Sequence, residues 1–158
     1  MRKLFVLCLI VLFTSCKDKD DSSTPEPDYA PEFAGNYSTT TVVGNETTIQ
    51  DWVITNTDKN TLAIDYTKSI RVSTSGTTLT AVQIRKLKDV KVTAADSFTI
   101  NEVVDVEQTT PGTLTQKLEG TALKVTNGTG MPQLNITIKF TNAGGGAPVE
   151  EYLEFKQK

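Results

Sequence analysis

Residues 134–141 read Leu-Asn-Ile-Thr-Ile-Lys-Phe-Thr ("LNITIKFT"), and this stretch decides the fold class. Leu134, Ile136, Ile138 and Phe140 fall on one face of an extended chain. Asn135, Thr137, Lys139 and Thr141 fall on the other. A strand of this kind packs one face on a core and turns the other to water.

Working outward, the same period of two recurs from Gly35 to the end, broken by turn chemistry. Tyr37–Val43 leads into Gly44-Asn45, a type II′ hairpin signal because Gly takes φ > 0 at the first central position. Glu46–Ile54 returns and carries Trp52. "NTDKN" (56–60) turns the chain into Thr61–Tyr66, with Leu62, Ile64 and Tyr66 on one face. Ser69–Ser73 and Thr77–Ile84 flank Ser75-Gly76. Leu87–Val92 has apolar spacing that suits either a strand or a helical turn. Ser97–Val106 and Thr113–Val125 are separated by "TTPG", and the alternation of the second changes phase near Gly120, as a bulge would cause. "NGTGMP" (127–132) and "AGGGAP" (143–148) are loops. Glu150–Lys156 ends the pattern, with Leu153 and Phe155 inward. Phe98, Phe140 and Phe155 are expected core residues.

The 26 Thr residues agree, since β-branched side chains favour strands. The reading is all-β: eight to ten antiparallel strands with no helix, in up-and-down order. Closure into a barrel removes exposed edges. An immunoglobulin-like sandwich is the alternative.

Composition narrows the chemistry. The formal charge of −3 argues against a nucleic-acid partner. There is no His, and the two cysteines are Cys8 and Cys16. The body therefore lacks thiol and imidazole for a metal site, a disulfide or a nucleophile–base pair. No phosphate loop, nucleophile elbow or dinucleotide fingerprint is present. The carboxylates, including Asp51, Asp65, Glu102, Glu119, Glu151 and Glu154, mostly sit in turns or in the polar phase of their strands. A solvated face is the expectation for them, and a facing catalytic pair is not. No enzyme, metal or cofactor is expected.

The N-terminus reads as an address. Arg2 and Lys3 precede the short apolar run Leu4–Phe13, as in a secretory signal over residues 1–15. Leu12-Phe13-Thr14-Ser15-Cys16 resembles the lipobox of bacterial lipoproteins. That resemblance implies acylation at Cys16, cleavage before it and anchoring in a membrane. A soluble secreted protein cut near Ser15 is the alternative. The charged run Lys17-Asp18-Lys19-Asp20-Asp21 is a linker start, or resembles the surface-export signal of Bacteroidota-type lipoproteins. The implied location is the outer membrane, with the cell surface and the periplasmic face both open. Residues 16–34 then form the acylated Cys and a tether. Pro25, Pro27 and Pro31 favour extended geometry that could hold a barrel domain over 35–158 about 40–50 Å from the lipid.

Phe33-x-Gly35-x-Tyr37, "KLEGTALKV" (117–125), "LNITIKF" (134–140) and the closing Tyr152-Leu153-x-Phe155 resemble the opening and closing halves of lipocalin-like and calycin-like domains. Tyr37 stands where classical lipocalins have Trp. The resemblance covers about residues 33–158 and implies a barrel holding one small, mostly apolar ligand. Tyr37, Trp52 and Tyr66 are the aromatics expected to line such a cavity, with ordinary core packing as the alternative. An envelope protein partner, met through a surface glycan- or protein-capture complex, is the competing expectation.

Overall fold

The computed structural model describes residues 26–158. Eight antiparallel strands follow each other in order and close into one barrel: β1 (Gly35–Val43), β2 (Glu46–Asp58), β3 (Thr61–Thr74), β4 (Thr77–Ala94), β5 (Ser97–Gln108), β6 (Leu114–Thr126), β7 (Pro132–Asn142) and β8 (Val149–Gln157). This up-and-down barrel is the architecture of lipocalin-like domains, and the sandwich alternative is excluded. Closure rests on Tyr37↔Gln157 and Ser38↔Lys156, beside a bond from Lys158 N–H to the Asn36 carbonyl. Beyond Ser38, the rest of β1 has no partner on β8.

Strand lengths exceed the sequence expectation. Thr61–Tyr66 and Ser69–Ser73 are parts of β3, and Thr77–Ile84 and Leu87–Val92 are parts of β4. The ambiguity at 87–92 has a physical cause. Leu87 and Val90 are both buried, while Lys88 and Asp89 are both exposed, so the strand carries an extra residue. The Glu102 carboxylate accepts the N–H of Lys88 and of Asp89, each at 2.9 Å. A bulge places apolar residues three apart, which imitates a helical turn.

At Gly120 the structure corrects the sequence reading. β6 keeps unbroken register with β5 and β7. Gln116, Leu118 and Ala122 face inward throughout, and Leu123 is 49% exposed. The glycine answers to crowding: a Cβ there would lie 2.6 Å from the Thr137 carbonyl oxygen. Gly44, at φ 59°, does occupy the expected hairpin position between Val43 and Glu46.

The tether expectation for 16–34 also changes at its end. Ala30–Phe33 form one 3-10 turn, and Ala30 and Phe33 are fully buried. Asn60, in the left-handed conformation at φ 52°, accepts the Tyr29 N–H at 2.8 Å and donates to the Pro27 carbonyl at 3.0 Å. Lys124 Nζ donates to the Glu32 carbonyl at 2.8 Å and lies 5.6 Å from the Phe33 ring centre. The chain therefore enters at one end of the barrel and plugs it. We call this end the base. It also holds the β2–β3, β4–β5 and β6–β7 turns. The other end, the mouth, holds the β1–β2, β3–β4, β5–β6 and β7–β8 connections.

The expected signal peptide, Cys16 and Lys17–Asp21 lie outside the described residues.

Candidate functional site

The interior is filled from the base upward by aromatic rings. Phe33 meets Phe98 edge-on with centroids 5.3 Å apart. Trp52 stacks on Phe155 at 4.1 Å and meets Tyr66 edge-on at 5.7 Å. Tyr66 in turn lies 6.3 Å from Phe140. Around this column pack Leu62, Ile64, Ile100, Leu118 and Ile138, each exposed by 1% or less. Close packing of this kind leaves no room for a ligand in the lower barrel.

One layer above, the inward positions change character on strand after strand. Two residues toward the mouth, Trp52 gives way to Gln50, Tyr66 to Lys68 and Leu87 to Arg85. Leu118 gives way to Gln116, Phe140 to Asn142 and Leu153 to Glu151. The period of two keeps these side chains on the inner face. They form two hydrogen-bonded sets that meet where the Arg85 guanidinium lies over the Tyr66 ring. Tyr66 Oη donates to Gln50 Oε1, and Gln50 Nε2 donates to Glu151 Oε2 at 3.2 Å. Lys68 Nζ pairs with Glu151 Oε1 at 2.6 Å. Arg85 Nε donates to Gln116 Oε1 and Nη2 to Gln83 Oε1, both at 2.8 Å. Gln116 Nε2 passes the chain to Asn142 Oδ1 at 2.8 Å.

Above this layer lies a pocket of about 240 Å³ bounded by Lys68, Gln83, Arg85, Gln116, Phe140, Asn142, Ala147, Val149 and Glu151. A second, more open hollow of about 330 Å³ lies beside the unpaired part of β1 and shares Lys68 and Glu151 with the first. The Lys68–Glu151 pair thus lines both.

Arg85 is the unusual member. Its side chain is 2% exposed, and the guanidinium lies over Tyr66 and Phe140, 5.1 and 5.3 Å from their ring centres. Cation–π contacts of this kind offset part of the desolvation cost. Burial pushes the Arg85 pKa below its ordinary value, while Tyr66 and Glu151 act the other way. The group stays charged, because a guanidinium titrates far above neutrality. Burial pushes the Tyr66 phenol upward, so it stays a neutral donor.

Of the expected cavity residues, Tyr37 and Trp52 are packed in the core, at 1% and 0% exposure. Tyr66 lies beneath the pocket, supporting Gln50 and Arg85 from below. The sequence reading passed over Lys68, Arg85, Gln83, Gln116 and Gln50. The available signal was the alternation itself, carried past each strand's assigned end. Lys68 is in phase with Leu62, Ile64 and Tyr66, and Glu151 with Leu153 and Phe155. Glu151 is an acid in the inward phase; Glu119 and Glu154 face outward.

Comparison with known proteins finds no family model, no curated protein and no solved structure that matches this chain.

Proposed function

We propose that this chain is a lipid-anchored, non-enzymatic binding protein of the bacterial cell envelope. Its ligand site is the polar mouth of the barrel. The observation that carries this reading is the switch from a filled apolar interior to a layer of hydrogen-bonded polar groups around a pocket, with Gln50, Arg85 and Gln116 buried. Polar groups cost free energy to bury, and a barrel with no ligand has no need of them there. The site lies at the opposite end from the 3-10 plug, where the chain arrives from the expected anchor at Cys16.

This reading moves the ligand from the lipocalin-type interior, where Tyr37 and Trp52 were expected to line a cavity, to the layer above. It also replaces a mostly apolar ligand with a small one that makes polar contacts. Native mass spectrometry of the protein, extracted from its own membranes in mild detergent, tests both parts. The expected mass is that of a chain cleaved before Cys16 and acylated on it, carrying a small bound molecule. A chain cut elsewhere without acyl groups would overturn the anchor. Protein free of any bound molecule would overturn the binding role. Protease treatment of intact cells decides the face: cleavage of the domain places it on the surface, and full protection places it in the periplasm.

A second reading, an accessory subunit of an envelope complex, draws on a different observation. Val43 and Leu79 are 70% and 65% exposed near the tips of the β1–β2 and β3–β4 hairpins. Register aligns them in one row through Glu46 and Val72. Exposed apolar side chains of this kind suit a protein partner. Co-purification of a stable envelope partner that survives salt washes and is lost on Val43→Ser with Leu79→Ser would favour it.

A further inference from the structure

We infer that the mouth pocket takes a small organic monoanion whose carboxylate is bound by the Arg85 guanidinium, with Lys68 beside it. The inference rests on the mouth being a ligand site and adds the chemistry of the ligand.

The argument starts from an imbalance of charge. Arg85 is 2% exposed, yet among the described residues no carboxylate forms a salt bridge with it. Its partners are the neutral amides of Gln116 and Gln83. Buried charges are ordinarily paired, because desolvation of a lone ion is costly. Glu151 does not fill the gap, since Lys68 already holds it at 2.6 Å. The pocket therefore carries two cations and one anion, and one negative charge is missing.

The geometry of the guanidinium points the same way. Of its five N–H donors, Nε and Nη2 use one each on Gln116 and Gln83. Three remain, and Nη1 is buried without a partner among the described residues. Gln116, Gln83 and the two aromatic faces fix the plane of the group. A fixed planar fork with free donors matches a carboxylate, which can accept two parallel hydrogen bonds. A monoanion balances the charge, whereas a doubly charged phosphate would overshoot it.

The remaining walls set the body of the ligand. Phe140, Ala147 and Val149 supply apolar surface beside the polar groups. The pocket holds about 240 Å³ and opens to solvent on one side. That is room for a carboxylate on a short or single-ring apolar body.

Calorimetric titration of the full chain in zwitterionic detergent tests the inference, with benzoate as the probe and benzamide as its uncharged counterpart. Benzoate is expected to bind saturably, about tenfold or more tighter than benzamide. Arg85→Met is expected to weaken benzoate by a similar factor and leave benzamide nearly unchanged. Glu151→Gln removes the competing negative charge and is expected to tighten benzoate about tenfold. That gain cannot come from misfolding. Equal affinity for both probes would overturn the carboxylate while leaving the mouth as a ligand site. Benzoate binding unchanged in Arg85→Met and Glu151→Gln would overturn the role given to Arg85. Tighter binding of inorganic phosphate than of benzoate would overturn the monoanion. Binding of none of the three would count against the mouth itself.

Discussion

At the base, Phe33, Trp52, Phe98 and Phe155 meet ring to ring. At the mouth, β2, β3, β4, β6 and β8 present Gln50, Lys68, Arg85, Gln116 and Glu151 to the same interior. Both layers obey the same period of two, so backbone geometry does not distinguish them. Side-chain chemistry does, and it gives the two ends different energetics. The base gains stability from apolar burial, about 1.5–3 kcal/mol for each large side chain. The mouth holds a buried cation among neutral amides, an arrangement that contributes little to stability. What the mouth gains is a fixed array of donors.

Substitutions at the two ends should therefore separate. Trp52→Ala removes the ring that stacks on Phe155 and touches Tyr66, and should cost about 3–5 kcal/mol. Urea unfolding at constant slope measures it. Phe33→Ala should cost about 3 kcal/mol by the same assay, because the ring is fully buried against Phe98. A value near zero would return residues 30–33 to the tether. Gly120→Ala forces a methyl against the Thr137 carbonyl and should cost about 1–3 kcal/mol. At the mouth the expectation reverses. Arg85→Met replaces a buried cation by an apolar chain of similar length and should change stability by less than about 1 kcal/mol, or raise it. A loss as large as that of Trp52→Ala would erase the distinction between the two ends.

The smallest effect concerns acid. Burial alone would raise the Asp51 pKa, but hydrogen bonds from Lys158 and Ser38 and the Lys158 charge outweigh it, so the folded value lies below 3.8. Its stabilising contribution is complete above that value and is lost as pH falls through the folded pKa. Asp51 pairs with Lys158 at 2.7 Å near the barrel seam, and the pair is partly exposed. Asp51→Asn should leave a small deficit in melting temperature near neutrality. That deficit should vanish as the pH falls through the lowered folded pKa of Asp51.

Much of the barrel was legible in the sequence because alternation and turn chemistry are local signals. Leu134–Phe140 and Leu62–Tyr66 read correctly, as did the Gly44-Asn45 turn. The failures came where a local rule met a constraint from another strand. Gly120 imitates a bulge because apolar Leu123, just beyond it, faces outward on an unbroken strand, while the glycine itself answers to the Thr137 carbonyl across the sheet. Leu87–Val92 imitates a helical turn because Glu102 stabilises an extra residue from the neighbouring strand. The plug at Ala30–Phe33 was hidden because proline-rich sequence reads as tether, and its burial depends on Asn60, Phe98 and Lys124. The mouth was missed for a related reason. Arg85, Lys68 and Gln116 look like surface residues singly, and only closure of the barrel turns their shared phase into a site.

The most direct test of the division between a filled base and a binding mouth is a side-chain NMR map of the full chain in micelles during benzoate titration. The account predicts shifts at Arg85 Nε–H and at the amides of Gln83, Gln116 and Asn142, with the methyls of Leu62, Ile64 and Ile100 unmoved. Shifts concentrated on those buried methyls, with Arg85 and its amide partners silent, would place the ligand in the barrel interior and contradict it.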